Sequence, residues 1–181
     1  MSETMHIQNL FTRIATLNLR PKTRAKYTQA SGLPDWEGVI TGELTYGSIP
    51  NKTNIETVSI GYSVTSIGNY AFNGCTNLTS VTIPDSVTSI GQESFYNCSK
   101  LTSISIPNSV TSIGWRAFRS SGLTSVVIPD SVTNLDARVF VYCYNLASVT
   151  IGNNVPELKD WLFESCCFTS VAIPASVTTI Y

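Results

Sequence analysis

The sequence predicts a repeat solenoid of the α/β class, dominated by β-structure and closed at its N-terminal side by a helix and a cap. Three observations predict it. The stretch LTSVTIPDSVTSIGQESFYNC, Leu78 to Cys98, is written almost identically again from Leu101. Copies start at Ile55, Leu78, Leu101, Leu123, Leu146 and Phe168, at spacings of 23, 23, 22, 23 and 22 residues, and a fixed period of this length marks stacked supersecondary units. Only 13% of the residues are charged, while Ser, Thr and Asn are abundant, a balance that suits hydroxyl-faced strands better than long solvated helices.

Within each copy the apolar positions are nearly invariant. Position 4 holds Val58, Val81, Ile104, Val126, Val149 and Val171, and position 6 is Ile from Ile60 to Ile173. Position 10 is Val from Val64 to Val177, and position 18 is Phe in Phe72, Phe95, Phe118, Phe140 and Phe163. Apolar and hydroxyl residues alternate in LTSVTI, the period of a strand with one covered face. Proline at position 7 (Pro84, Pro107, Pro129, Pro174) then ends the strand, because it cannot donate to a ladder. SVTSIG reads as a second short extended piece closed by a glycine turn at Gly68, Gly91 and Gly114. The remaining stretch to the Phe and Cys positions is too short for an ordinary helix and is expected to form one helical turn.

One copy buries too little apolar surface to offset the ordering of its own backbone. Stability therefore requires neighbours: each copy supplies the core of the next. At the usual strand separation, six rungs make a rod roughly 25 Å long.

The first third differs. Ile7, Leu10, Phe11, Ile14 and Leu17 recur at helical spacing before Pro21, which predicts an amphipathic helix over 4–19. The resulting organisation is a helix and basic linker over 1–30, a degenerate capping coil over 31–54, and a solenoid over 55–181 with five full repeats and a partial sixth.

The motif L-x-x-[VI]-x-I-P-x-S-V-T-S-I-G-x-x-[AS]-F-x-x-C, carried by 55–181, resembles the BspA-like, or type-5, leucine-rich repeat family. The resemblance implies a right-handed leucine-rich-repeat superhelix. It also implies a surface or secreted protein used in adhesion and host-protein binding. Repeats four and five depart from the pattern, with Asp136 and Lys159 in place of the turn glycine and Pro156 inside SVTSI. The N-terminal sequence MSETMHIQNLFTRIATL does not read as a signal peptide, since Gln8, Asn9, Thr12 and Arg13 break its apolar content.

Several function classes are disfavoured. Eleven Lys+Arg against twelve Asp+Glu leave the chain near neutral, so no nucleic-acid partner is expected. The basic group Arg13, Arg20, Lys22, Arg24 and Lys26 reads more simply as a solvated linker than as a phosphate-binding patch. No run of eighteen apolar residues is present to span a membrane. His6 is the one histidine, acidic residues form no repeated pair, and no phosphate-cradling glycine loop occurs. No enzyme, cofactor or metal is expected. Cys75, Cys98, Cys143 and Cys166 share position 21, with Ser121 there in repeat three and Cys167 next to Cys166. A solenoid sets such residues in a row rather than around a point, which favours buried structural thiols over a disulfide or a metal site. Asn51, Asn77 and Asn97 begin N-x-[ST] triplets that a composition so rich in these residues produces by chance.

The informative variation lies at positions 15, 16, 19 and 20, flanking the Phe. There the near-identical copies differ in aromatic and charged residues. Two readings compete: exposed turn positions that tolerate any residue, and a recognition column built from Tyr70, Tyr96, Trp115, Arg116, Arg119, Arg138, Tyr142 and Trp161. Tyr, Trp and Arg are the residue types enriched at binding hot spots. A Ser/Thr lattice on the outward strand face (Thr57, Ser59, Ser80, Thr82) is a rival surface of ice-binding kind, interrupted by Val127 and Ala172. The expected function is a binding or adhesion module for protein or glycan. The alternative is a structural spacer in an oligomer, virion or tail-like particle, assembled through residues 4–19.

Overall fold

The computed structural model describes residues 24–29, 36–39, 42–48 and 52–181. The helix expected over 4–19, His6 and the triplet at Asn51 lie outside these residues. Strands β1 (Arg24–Gln29) and β2 (Trp36–Val39) form an antiparallel hairpin, and β1 continues antiparallel onto β4 (Ile55–Ser59). Part of the basic stretch read as a linker is thus a strand. The run RAKYTQ contains no Gly or Pro, and its placement covers the edge that β4 would otherwise leave open. Strand β3 (Gly42–Leu44) pairs parallel with β5 (Val64–Ile67), and Leu44 is fully buried. The segment before the first full repeat therefore begins the stack.

Each later copy adds a strand at positions 3–5 or 12–13: β6 (Ser80–Thr82), β7 (Ser89–Ile90), β8 (Ser112–Ile113), β9 (Ser125–Val127), β10 (Asn134–Leu135), β11 (Ser148–Thr150), β12 (Glu157–Leu158) and β13 (Thr179–Ile180). Parallel pairing joins equivalent residues, as in Val58 opposite Val81 and Ile90 opposite Ile113. The 12–13 ladder runs unbroken from β3 to β10 and resumes as β12–β13. Its gap has a chemical cause. Position 11 elsewhere donates its N–H to the preceding rung, as in Thr88 to Thr65 O at 2.9 Å and Thr111 to Thr88 O at 2.9 Å. Pro156 occupies that position in rung five and has no N–H to donate. The 3–5 ladder also breaks, at rung three, where residues 103–105 form no strand.

Side chains lock the rungs as well. The serine at position 9 donates to the carbonyl of the valine at position 10 of the preceding rung. Ser86 reaches Val64 O at 2.7 Å, Ser109 reaches Val87 O at 2.6 Å and Ser131 reaches Val110 O at 2.7 Å. The cysteine at position 21 does the same for the carbonyl of the phenylalanine at position 18, with Sγ to O distances of 3.3 Å for Cys98 to Phe72 and 3.0 Å for Cys143 to Phe118. Cys75, Cys98 and Cys143 are buried, Cys166 is partly buried and Cys167 is exposed, all as free thiols.

The core is a set of parallel spines. Phe72, Phe95, Phe118, Phe140 and Phe163 stack face to face, at centroid separations of 4.9, 5.3, 5.5 and 5.6 Å and interplanar angles of 14° or less. Phe168 ends the spine edge-on to Phe163, at 5.4 Å and 80°. Val, Ile and Leu at positions 4, 6, 10 and 13 form adjoining spines through the fifth rung. The close approach at position 14 explains glycine there: a Cβ on Gly91 would lie 2.7 Å from the backbone N of Asn69. Ring separation along the Phe spine is widest toward the rungs that carry Asp136 and Lys159 at that position.

The helical turn expected around the Phe does not form. Positions 16 and 20 have positive φ in every full rung. At position 16 these are Tyr70, Glu93, Arg116, Arg138 and Trp161, with φ between 48° and 61°. At position 20 they are Gly74, Asn97, Ser120, Tyr142 and Ser165, with φ between 55° and 78°. Two left-handed residues four apart preclude a helix and turn the N–H groups along the stack. Positions 16, 18 and 20 each donate to a carbonyl one rung ahead, as in Tyr70 to Gln92 O at 2.8 Å, Phe72 to Ser94 O at 2.7 Å and Gly74 to Tyr96 O at 2.9 Å. This is a third ladder, on the face that carries the variable residues.

Candidate functional site

The third ladder fixes where each variable side chain leaves the backbone. Because positions 16 and 20 are left-handed and bonded to the next rung, equivalent side chains fall in register. Toward the C-terminal end they converge. Arg116, Arg119, Arg138, Val141, Tyr142, Trp161 and Glu164 line an open pocket of about 320 Å³. Five of the eight residues singled out from sequence are in it: Arg116, Arg119, Arg138, Tyr142 and Trp161.

The other three stand outside or at its margin. Tyr96 touches the pocket through Arg119, whose guanidinium carbon lies 5.3 Å from the Tyr96 ring centroid and 5.2 Å from that of Tyr142. Trp115 carries the Arg116 guanidinium at 3.8 Å over its ring. Tyr70 belongs to the far end of the column, where its hydroxyl accepts a 2.7 Å hydrogen bond from Gln92 Nε2. Val141 was not anticipated; it occupies position 19, where the other rungs carry polar or aromatic residues.

Cation and ring are paired throughout. Arg138 lies over Trp161 at 4.0 Å, and Trp161 remains 56% exposed. Arg116 also pairs with Glu93 at 3.7 Å. Arg119 and Arg138 have no ion pair or hydrogen bond from their side chains among the described residues, and the Nε atoms of Arg116 and Arg119 are buried without a partner. Rings against the faces of a guanidinium leave its edge donors for a ligand, and with Nε of Arg119 buried those donors are the terminal Nη groups.

A second cavity, of about 500 Å³, lies on the strand face at rungs three to five, lined by residues including Ser103, Ser105, Asn108, Asp130 and Asn153. It coincides with the interruption of the 3–5 ladder, and its one charged lining group, Asp130, accepts from Asn153 N–H at 2.7 Å. Ser59, Ser80 and Thr82 of this face are exposed and Thr57 is half-buried, but the lattice is split where rung three leaves the sheet.

The thiols have no reactive setting. Burial pushes Cys75 and Cys166 up to about 12 and raises Cys98 and Cys143 as well. Such groups stay protonated and act as weak donors. Among the described residues no cluster of three or more His, Cys, Asp or Glu converges, and no helix is long and apolar enough to cross a membrane.

The family described as "BspA type Leucine rich repeat region" matches residues 65–181 in six copies. The chain belongs to this leucine-rich-repeat family. It is similar to a leucine-rich repeat protein from Bacteroides ovatus, with 27% identity and a TM-score of 0.66 over 85% of this chain and 37% of that one. A leucine rich cell surface protein from Faecalibacterium prausnitzii is 34% identical, with a TM-score of 0.67 over 86% of this chain and 41% of that one. The T. pallidum leucine rich repeat protein is 31% identical, with a TM-score of 0.67 over 84% of this chain and 65% of that one. The leucine-rich-repeat chain therefore spans about two fifths of the first two structures and just under two thirds of the third. No curated protein matches it. Repeat proteins of this family are generally non-catalytic modules of a surface or binding type.

Proposed function

We propose that this protein is a non-catalytic binding module that recognises a protein or glycan through the variable aromatic and basic side chains of its turn column. The observation that carries the reading is the convergence of Arg119, Arg138, Tyr142 and Trp161 on one pocket of an otherwise repetitive scaffold. Tyr and Trp bury large contact area with only two rotatable side-chain bonds each, and here their rings hold the longer Arg119 and Arg138 side chains in place. A preorganised surface loses less entropy when it binds. Adhesion at a cell surface is the setting that suits such a module, and the Faecalibacterium relative is described as a cell surface protein.

The test is a binding screen of the full chain against host-matrix proteins and glycans, repeated with Trp115→Ala and Trp161→Ala. A ligand whose affinity drops about tenfold or more in Trp161→Ala fits the reading. Unchanged affinity in both variants refutes it. The spacer reading rests on residues 4–19, outside the described residues. Removing residues 1–23 addresses it while sparing β1. An oligomer that disassembles on that truncation, in a chain that binds no ligand, would favour the spacer.

A further inference from the structure

We infer that the pocket is built for a single carboxylate carried on a sugar ring, so that its ligand is an acidic glycan of the uronic or sialic acid kind. The inference rests on the binding-module reading and specifies its chemistry. Charge comes first. Three guanidinium groups, on Arg116, Arg119 and Arg138, face two carboxylates, Glu164 on the pocket wall and Glu93 paired to Arg116 at 3.7 Å. The balance is one net positive charge, held where Arg119 and Arg138 have no ion partner among the described residues. One anionic group is matched. A densely sulfated polymer is not, because Glu164 repels the excess.

Geometry selects the anion. Arg119 lies between the rings of Tyr96 and Tyr142 at 5.3 and 5.2 Å, and Arg138 lies on Trp161 at 4.0 Å. A guanidinium held against rings in this way presents its two terminal Nη groups as a fork, the shape that a planar carboxylate fills with two hydrogen bonds. A lysine in either place would offer a point charge and no fork.

The pocket surroundings favour a sugar over an acidic peptide. An extended peptide gains affinity by adding its backbone to an unpaired edge. The backbone here is already paired: Arg116, Arg138 and Tyr142 donate to Ala137 O, Asp160 O and Glu164 O at 3.3, 3.0 and 2.9 Å. What remains are ring faces, above all the exposed Trp161, and fixed Arg edges beside them. A pyranose that bears its carboxylate directly on the ring offers an apolar C–H face and a charged edge, one for each kind of surface. About 320 Å³ lies at the small end of ligand pockets and suits one or two sugar units.

Calorimetric titration of the full chain with glucuronic acid and with glucose isolates the carboxylate, since the two sugars differ only at that group. Sialic acid, heparin and a Glu-rich hexapeptide complete the set. Binding of glucuronic or sialic acid without glucose is expected, weakened about tenfold to a hundredfold in Arg119→Gln and in Arg138→Gln. Arg138→Lys is expected to restore little, because it restores charge and not the fork. Equal binding of glucose, tighter binding of the hexapeptide, binding of heparin alone, or indifference to both Gln substitutions overturns the inference. A neutral sugar or protein ligand that still depends on Trp161 would leave the binding-module reading standing while removing this one.

Discussion

The ammonium group of Lys52 lies 2.9 Å from the carbonyl oxygen of Ala71 and 3.0 Å from that of Tyr70. These carbonyls belong to the first full rung of the turn ladder. Along the stack, the carbonyls at positions 15, 17 and 19 accept N–H groups from the rung before. The first rung has no such neighbour at Ala71, and Lys52 takes its place. The same ammonium sits 3.3 Å over the Tyr46 ring, so one side chain ties the 3-10 turns at Tyr46–Ser48 and Lys52–Asn54 to the solenoid.

Replacing Lys52 with Met keeps the apolar stem and removes the donor. The lost donor should cost about 1 kcal/mol near pH 10.5, where the amine is neutral, a fall in Tm of about 2–4 °C, and less at neutral pH, where Met also removes a desolvated charge. Burial lowers the Lys52 pKa from 10.5 to about 8. The folded state therefore holds this proton less tightly than the unfolded chain. Protonation opposes folding at low pH, and that opposition is relieved as pH rises from about 8 to 10.5. A Lys52 resonance titrating at its ordinary value, with no Tm change in the variant, would contradict the capping role.

Ser94 is fully buried and its Oγ has no partner. It stands at position 17, where Ala71 and Ala117 occupy the neighbouring rungs. A buried hydroxyl without a hydrogen bond is a net cost. Ser94→Ala should raise stability by about 1 kcal/mol, seen as a higher denaturant midpoint with an unchanged slope. A lower midpoint would mean that the hydroxyl has a partner in solution.

The thiol row gives a pH dependence of opposite sign to that of Lys52. Cys75 and Cys166 are raised from 9.0 to about 12, and Cys98 and Cys143 are raised too, in each case chiefly by burial. An acid whose folded pKa exceeds its unfolded value contributes stability that is complete below pH 9. That contribution is lost as pH climbs toward about 12. Chemical denaturation at pH 8 and pH 10 should show a clear loss at the higher pH, smaller in Cys143→Ala than in the parent chain. Under native conditions a thiol reagent should label Cys167 first, because it is the exposed cysteine. Rapid labelling of Cys98 would break this account.

Much of this architecture was legible because it depends on positions that repeat. The Phe spine, the two strands per rung and the inward thiols follow from residues that recur at fixed offsets, and a stack forces equal offsets into equal environments. Single events were harder to read. Pro156 announced the break in the 12–13 ladder through its missing N–H. The break at rung three had no such signal, since LTSISIP differs little from LTSVTIP. The left-handed residues were partly signalled by Gly74 and Asn97 at position 20, residue types that favour positive φ. Arg, Trp and Tyr at equivalent places hid them, and a helical turn was expected instead. Five of eight candidate site residues meet in one pocket because stacking brings successive rungs together. Tyr70 does not, because it lies in the first full rung, far along the column.

Trp161 sits at φ 51°, a conformation that disfavours any side chain with a Cβ by about 1–2 kcal/mol. Glycine avoids that strain. It gives up the cation–π contact with Arg138, about 0.5–1 kcal/mol at an exposed site. Alanine gives up the same contact and keeps the strain. Trp161→Gly should therefore be more stable than Trp161→Ala by about 1 kcal/mol, although glycine is ordinarily the weaker residue. Both should lose ligand equally, because both remove the indole from the pocket. Paired thermal melts and titrations of the two variants read strain and recognition separately. If the Gly variant melts below the Ala variant, position 161 is not left-handed in solution. If the Ala variant alone retains the ligand, backbone geometry rather than the indole face makes the site.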